Sequence, residues 1–137
     1  MAARTFSHWH RYHKQRSKTG KRSGLEVQVA SQLDAAKVEY QYEPGWITYE
    51  KPARPAKYLP DFKLKNGIII EVKGRFVTAD RRKHLQIKQS HPDLDIRFVF
   101  SNPQQRISKQ SKTTYAMWCE KHGFLYAKAV VPEEWFK

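Results

Sequence analysis

The chain has 137 residues, 39% hydrophobic and 13% aromatic, with 26 Lys+Arg against 13 Asp+Glu and a formal net charge of +13. That length suits one domain with a real core and argues against wholesale disorder. No apolar run approaches the roughly 18–20 residues of a membrane-spanning helix, and the single cysteine, Cys119, excludes an internal disulfide framework or an all-cysteine zinc site and fits a reducing compartment.

In chain order, residues 1–22 form a basic arm ahead of a domain over 23–137. Arg4, Arg11, Lys14, Arg16, Lys18, Lys21 and Arg22 precede the first acidic residue, Glu26. Such an arm reads as a polyanion-binding tail, with nucleic acid the commonest polyanion and a solubilising tail the plain alternative. It lacks the apolar helical face of a transit peptide and the apolar stretch of a secretory signal. His8, Trp9, His10, Arg11, Tyr12 and His13 interleave rings and charges, which suits stacking on bases better than metal ligation.

Ser23-Gly24-Leu25-Glu26 reads as a capping box, with Leu25, Val29, Leu33 and Ala36 on one face of a helix running to about Lys37. Val38 to Tyr42 alternates like a strand, Pro44-Gly45 breaks it, and Trp46 to Tyr49 is a short extended piece. Lys51 to Pro60 carries three prolines and reads as a loop or connecting arm outside the core. Phe62 to Leu64 and Ile68 to Val72 flank Asn66-Gly67 and form a hairpin. A helix opens at Thr78 and ends by His91-Pro92, Ile96 to Phe100 is a buried strand, and Thr113 to His122 is a third helix stopped by Gly123. An extended piece from Phe124 to Val131 and a turn after Pro132 complete an α/β (α+β) chain.

The hairpin register follows from arithmetic. A two-residue loop would place Asp61 opposite Val72, whereas a three-residue loop, Lys65-Asn66-Gly67 with Gly67 left-handed, pairs 64 with 68 and 61 with 71. Asp61 and Glu71 then lie across from one another with side chains roughly 5 Å apart. Lys73 projects from the same face because strand side chains have period two. Two carboxylates so close repel, and a divalent cation such as Mg²⁺ removes the conflict. The neighbouring lysine could then orient or deprotonate a water beside a phosphodiester. Taken on charge alone, the same residues would make ordinary surface ion pairs.

Pro60-Asp61, nine residues, then Glu71-Val72-Lys73 resembles the signature of the PD-(D/E)xK nucleases. The resemblance extends to the phage endonuclease I family of Holliday-junction resolvases. It is carried by Arg22-Ser23-Gly24-Leu25-Glu26, Leu59-Pro60-Asp61-Phe62, Asn66-Gly67-Ile68, Glu71-Val72-Lys73-Gly74, Asp80 to Leu85, His91 to Arg97, Cys119 to Gly123 and Pro132 to Trp135, in collinear order over residues 22–137.

The resemblance implies a restriction-endonuclease-like core, a mixed central sheet flanked by helices, in an intertwined homodimer that exchanges its first helix and strand through a connector at about 43–60. It implies Asp61 and Glu71 as metal ligands, the Val72 carbonyl as a further candidate, Glu26 at a second metal position, and Lys73 as the catalytic lysine. Glu26 would complete the site of the other chain, in competition with its capping role. Two Mg²⁺ ions per site are implied, with Mn²⁺ as a substitute. The reaction it implies is hydrolysis of four-way junctions and branched DNA to 5′-phosphate and 3′-hydroxyl ends, in the cytoplasm of a bacterial host, with no membrane and no small-molecule cofactor.

Arg11, Lys14, Arg16, Lys18, Lys21 and Arg22 of the arm, and Arg75, Arg81, Arg82, Lys83 and His84, are the expected DNA contacts, His84 having a helix-surface role as its alternative. A sequence-specific or single-strand nickase and a non-catalytic DNA-binding protein are the rival readings. Gly20-Lys21-Arg22-Ser23 is no P-loop. Cys119-x-x-His122 lacks two zinc ligands and nothing marks the thiol as activated. Trp46, Trp118 and Trp135 are expected in core or dimer packing.

Overall fold

The computed structural model describes residues 24–51 and 55–137. The basic arm, with Ser23 of the expected capping box, lies outside the described residues. Helix α1 (Gly24–Ala35) ends two residues before the expected Lys37, because Lys37 turns left-handed at φ 55° and the amide of Val38 caps the carbonyl of Leu33 at 3.0 Å. Strands β1 (Tyr40–Tyr42), β2 (Ile47–Glu50), β3 (Pro55–Tyr58), β4 (Phe62–Leu64) and β5 (Ile69–Lys73) follow. Helix α2 (Thr78–Ser90), β6 (Ile96–Phe100), α3 (Tyr115–His122), β7 (Tyr126–Lys128) and a 3₁₀ turn (Glu133–Phe136) complete the order.

Five strands form one mixed sheet in the order β1-β4-β5-β6-β7. The β1-β4 and β4-β5 pairs are antiparallel, and β5-β6 and β6-β7 are parallel, each parallel step crossing over through a helix as such connections require. The α/β class and mixed sheet are as expected.

Alternation along the strands sorts the core onto the two sheet faces. Ile70 and Val72 of β5 and Val99 of β6 pack with Val29 and Leu33 of α1, Phe62 and Trp135. On the other face Ile69, Phe98 and Phe100 pack with Phe76, Ile87 of α2 and Trp118 and Cys119 of α3. Glu71 and Lys73, alternating with Val72, belong to this second face.

The Pro-rich stretch departs from expectation. Where a loop outside the core was expected, Pro55–Tyr58 is a strand pairing with β2 from Ile47↔Tyr58 to Glu50↔Pro55, and Tyr58 and Leu59 are buried. Pro55 is the first residue of its strand, where the ring displaces no ladder donor. This second, two-stranded sheet is held against α2 by Glu50 N–H donating to Ser90 Oγ at 3.0 Å and by His91 Nε2 meeting the Thr48 carbonyl at 2.5 Å.

Two smaller expectations also shift. The extended piece after Phe124 is a strand only over Tyr126–Lys128. Trp118 and Trp135 are buried, whereas Trp46 is 63% exposed and belongs to neither core cluster, so of its two expected places only dimer packing is left for it.

Candidate active site

The site is built at the β4-β5 hairpin. Phe62 pairs with Ile70 and Lys63 with Ile69, and the Leu64 amide donates to the Ile68 carbonyl at 2.8 Å. Gly67 sits at φ 94°, closing the three-residue loop with its amide on Leu64 O at 2.9 Å. Asn66 Oδ1 accepts from the Ile68 amide at 3.0 Å, and its amide nitrogen donates to the carbonyls of Trp135 and Lys137. The turn is therefore tied to the chain's last residues. One step beyond the paired residues, this register sets Asp61 against Glu71.

Both carboxylates are almost fully buried, Asp61 at 1% and Glu71 at 2% exposure. Burying one charged carboxylate is costly and burying two together costs more, unless donors or cations converge on them. Donors do. Asp61 Oδ2 accepts the Val72 amide at 2.8 Å, and Glu71 Oε2 accepts the Tyr58 hydroxyl at 2.7 Å and the Asp61 amide at 3.4 Å. On the other side of the carboxylate, Oε1 lies 3.7 Å from Lys73 Nζ and 4.0 Å from His84 Nε2. Lys73 is shared with Asp80 Oδ1, also at 3.7 Å. Lys73 is thus shared between Glu71 and Asp80, beside a second buried carboxylate, Asp61.

Glu26 reaches the same neighbourhood from α1. Its Oε2 accepts a hydrogen bond from the Tyr42 hydroxyl, and Tyr42, on β1, pairs with Phe62 of β4. Burial holds the Tyr42 phenol far above its ordinary range, with the charges of Glu26, Glu43 and Asp61 adding to it. The Tyr58 phenol is raised well above normal as well, by burial first and then by Glu71 and Asp61. Each hydroxyl thus keeps its proton and acts as a fixed donor to a carboxylate.

Three features of this cluster escape sequence reasoning. Tyr58 is concealed by the prolines around it. Glu43, buried beside the site with its amide donating to Asp61 O at 3.0 Å, adopts a positive φ of 44° that no residue type announces. Asp80 opens α2 and looks like a first-turn residue placed for the helix dipole; it is also a partner of Lys73.

His84 is a correction. It is 1% exposed, on the inner face of α2, edge-on to Tyr58 at 5.3 Å and to Phe98 at 4.9 Å. It therefore occupies neither the expected helix surface nor a position open to a passing DNA backbone. Its spacing from buried Ile87, three residues on, is the helical signal that places it inside.

The other basic residues divide. Arg75 and Arg82 are exposed. Lys83 Nζ lies 5.4 Å above the Tyr58 ring, and with Arg82, Lys51 and Asp80 it lines a groove of about 440 Å³ between α2 and β2. Arg81 turns back, donating to Phe76 O at 2.5 Å and Thr78 Oγ1 at 3.0 Å, which ties down the first turn of α2. Arg11, Lys14, Arg16, Lys18, Lys21 and Arg22 lie outside the described residues.

The donor set of Asp61, Glu71 and the Val72 carbonyl is all oxygen, with an excess of negative charge, and so fits a hard divalent cation such as Mg²⁺. Among the described residues no three His, Cys, Asp or Glu side chains stand together as a ready ligand cage. Mg²⁺ takes only one or two carboxylates and completes its shell from water and phosphate. Cys119 is buried and burial pushes its thiol up to about 12, so it stays protonated and inert. No helix among the described residues is long and apolar enough to cross a membrane.

The comparisons with known proteins agree in direction. The family model described as Phage endonuclease I matches residues 6–137. Endonuclease I of Escherichia phage T7 is 46% identical over 116 residues, 85% of this chain and 78% of the phage protein. Endodeoxyribonuclease 1 of Enterobacteria phage T3 is 48% identical over 111 residues, 81% of this chain and 73% of that protein.

Proposed function

The chain belongs to the phage endonuclease I family, and from that premise we propose that it is an endodeoxyribonuclease resolving four-way DNA junctions by paired, metal-dependent phosphodiester hydrolysis. The observation that carries the reading is the buried pair Asp61 and Glu71 with Lys73 at 3.7 Å. Such an arrangement costs stability in a protein with no use for it.

Asp61, Glu71 and the Val72 carbonyl would hold one Mg²⁺, with Glu26 serving a second, and Mn²⁺ would substitute. When bound, the ion supplies Lewis-acid stabilisation of the phosphate's developing charge and makes water a better nucleophile. The protein's share is placement. Tyr58 and the Val72 amide fix one oxygen each of Glu71 and Asp61. Lys73, held between Glu71 and Asp80, orients the attacking water and offsets charge on the phosphate. Cleavage leaves 5′-phosphate and 3′-hydroxyl ends.

Two such sites in a two-fold homodimer nick two strands of one symmetric junction in a single encounter. In that dimer α1 and β1 would be exchanged between chains through the connector at about 43–60, so that the pairing of β1 with β4 and the approach of Glu26 to the site, made within one chain here, would be made with the partner. Arg75, Arg82 and Lys83, together with the arm, hold phosphates. Selection is by branch geometry, with little base-edge readout. The enzyme works in the cytoplasm of the infected host.

The test is an end-labelled four-way junction and its matched duplex, incubated with Mg²⁺ or chelator, with Asp61→Ala alongside. Paired nicks near the branch that need metal and Asp61, with the duplex spared, are expected. Equal cutting of both substrates would remove the junction claim and leave a nickase. Tight binding without Mg²⁺-dependent cutting would leave a DNA-binding protein.

A further inference from the structure

The segment between β6 and α3 takes no part in the site described above. From Ile96 to Cys119 the chain has no acidic residue, and the loop in that span carries Arg106, Lys109 and Lys112. A long polar loop of this kind would ordinarily be read as solvated surface. Here its backbone is pinned. Arg106 bridges Thr114, the Ile107 amide donates to Thr113 O at 2.8 Å and the Tyr115 amide to Gln105 O at 2.9 Å. At the tip, Ser111 N–H donates to Ser108 O and Thr113 N–H to Ser111 Oγ. The base is fixed by the Ala116 amide on Pro103 O at 2.9 Å. The loop is thus a preformed projection.

Between this projection and the chain leaving β5 lies a groove of about 380 Å³. Arg75 stands on one wall, Arg106 and Lys109 on the other, and buried Tyr115 lines it between them, its hydroxyl accepting the Phe76 amide at 3.2 Å. Gln105 and Ser108 add neutral polar groups, and no lining residue is acidic. Three like charges across one groove repel, and an anion between them relieves the repulsion. Position then selects the anion. Arg75 is two residues beyond Lys73, about 7 Å of extended chain or two nucleotide rises of about 3.4 Å.

We propose that this groove is a second binding site for the DNA backbone, in which Arg75, Arg106 and Lys109 hold phosphates of the strand that passes the Lys73 end of β5. The site needs only that the substrate is DNA. It requires no metal and no particular branch geometry.

The experiment is fluorescence-anisotropy binding of a labelled four-way junction and of a linear duplex to the full chain, without divalent metal so that nothing is cut, over a range of salt. The double variant Arg106→Gln/Lys109→Gln is compared with Lys37→Gln/Lys65→Gln, a control pair at the opposite, turn end of the β4-β5 hairpin. The groove pair should lower the slope of log K against log salt by about 2 per bound chain, at about 0.9 per phosphate contact, and weaken binding at 0.1 M salt by on the order of tenfold. The control pair should change the slope by less than half as much.

Equal effects of the two pairs would mean that net charge alone is felt, and an unchanged slope for the groove pair would mean that no phosphate sits there. Either result overturns the proposal. Arg75→Gln reads the opposite wall independently, with an expected fall of about 1, should the double variant fold poorly. Wild-type binding that fails to distinguish junction from duplex would count against junction resolution and leave the slope comparison intact.

Discussion

Replacing Tyr58 by Phe deletes one oxygen from a side chain with no exposed surface and leaves the ring where it is, edge-on to His84 at 5.3 Å. The lost hydroxyl is the donor at 2.7 Å to Glu71 Oε2. A hydrogen bond to a charged acceptor contributes about 1.5–3 kcal/mol, and a buried acceptor deprived of its donor feels the upper part of that range. For a chain of this length each kcal/mol moves Tm by about 3–5 °C, so the metal-free variant should melt roughly 5–15 °C lower. A purely structural hydroxyl would do no more than that.

The second readout separates the two roles. If Tyr58 aims Glu71 so that Oε1 faces the open side of the cluster, its removal loosens a ligand held by an outer partner, and such losses cost about 10–100-fold in metal affinity. Calorimetric titration of Mg²⁺ into wild type and Tyr58→Phe, both kept well below their melting temperatures, measures this directly. An unchanged or tighter Mg²⁺ affinity would refute the reasoning, because the hydroxyl would then be competing with the ion for Glu71. Tyr42→Phe applies the same logic to Glu26, with a smaller expected change because Glu26 is half-buried.

Asp61→Asn keeps the shape of the side chain and removes its charge; cleavage of a labelled junction should fall by about 10²–10³-fold, the equivalent of several kcal/mol of lost charge stabilisation, while circular dichroism shows the fold retained. Gly67→Ala forces a Cβ onto a residue at φ 94° with open space around it, so urea unfolding should report a loss of about 1–2 kcal/mol that is purely conformational. Cys119 has its folded-state pKa raised from 9.0 to about 12, by burial and then by Glu120. Its contribution is therefore fully present below about pH 9 and lost as pH rises toward 12; Cys119→Ala should flatten the fall of stability with pH in that window by up to about 1.4 kcal/mol per unit, and native wild type should resist thiol reagents at pH 8. His84→Ala, which empties a site between Tyr58, Phe98 and Phe76, should cost about 2–4 kcal/mol in chemical denaturation.

What the sequence disclosed about this fold depended on whether a local rule fixed the answer. The β4-β5 register was legible because a three-residue loop ending in left-handed glycine admits only one pairing, and that pairing alone brings Asp61 and Glu71 together. The start of α2, the buried run Ile96–Phe100 and the Gly123 stop of α3, where φ is 76°, were legible for the same kind of reason. The misreadings arose where a tertiary contact overrode composition. Three prolines between Lys51 and Pro60 made a strand look improbable, yet Pro55 falls at a strand's first position and Tyr58 finds a buried carboxylate to receive its hydroxyl.

His84 was drawn outward by the charges of Arg81, Arg82 and Lys83 beside it, although its three-residue spacing from Ile87 puts it on the face that meets Glu71. The same cause operates at both positions: sequence neighbours point one way, whereas the side chain lies against Glu71, an acid buried elsewhere in the chain. An active site that concentrates buried carboxylates must recruit donors from several elements to remain folded. Here the Tyr42 hydroxyl comes from β1, the Tyr58 hydroxyl from β3, and the Val72 amide and the Lys73 ammonium from β5, with His84 of α2 packed 4.0 Å from Glu71. The carboxylates, which carry the motif, can be found by spacing along one hairpin. Their supporting donors converge only once the sheet has assembled and α2 has packed across it.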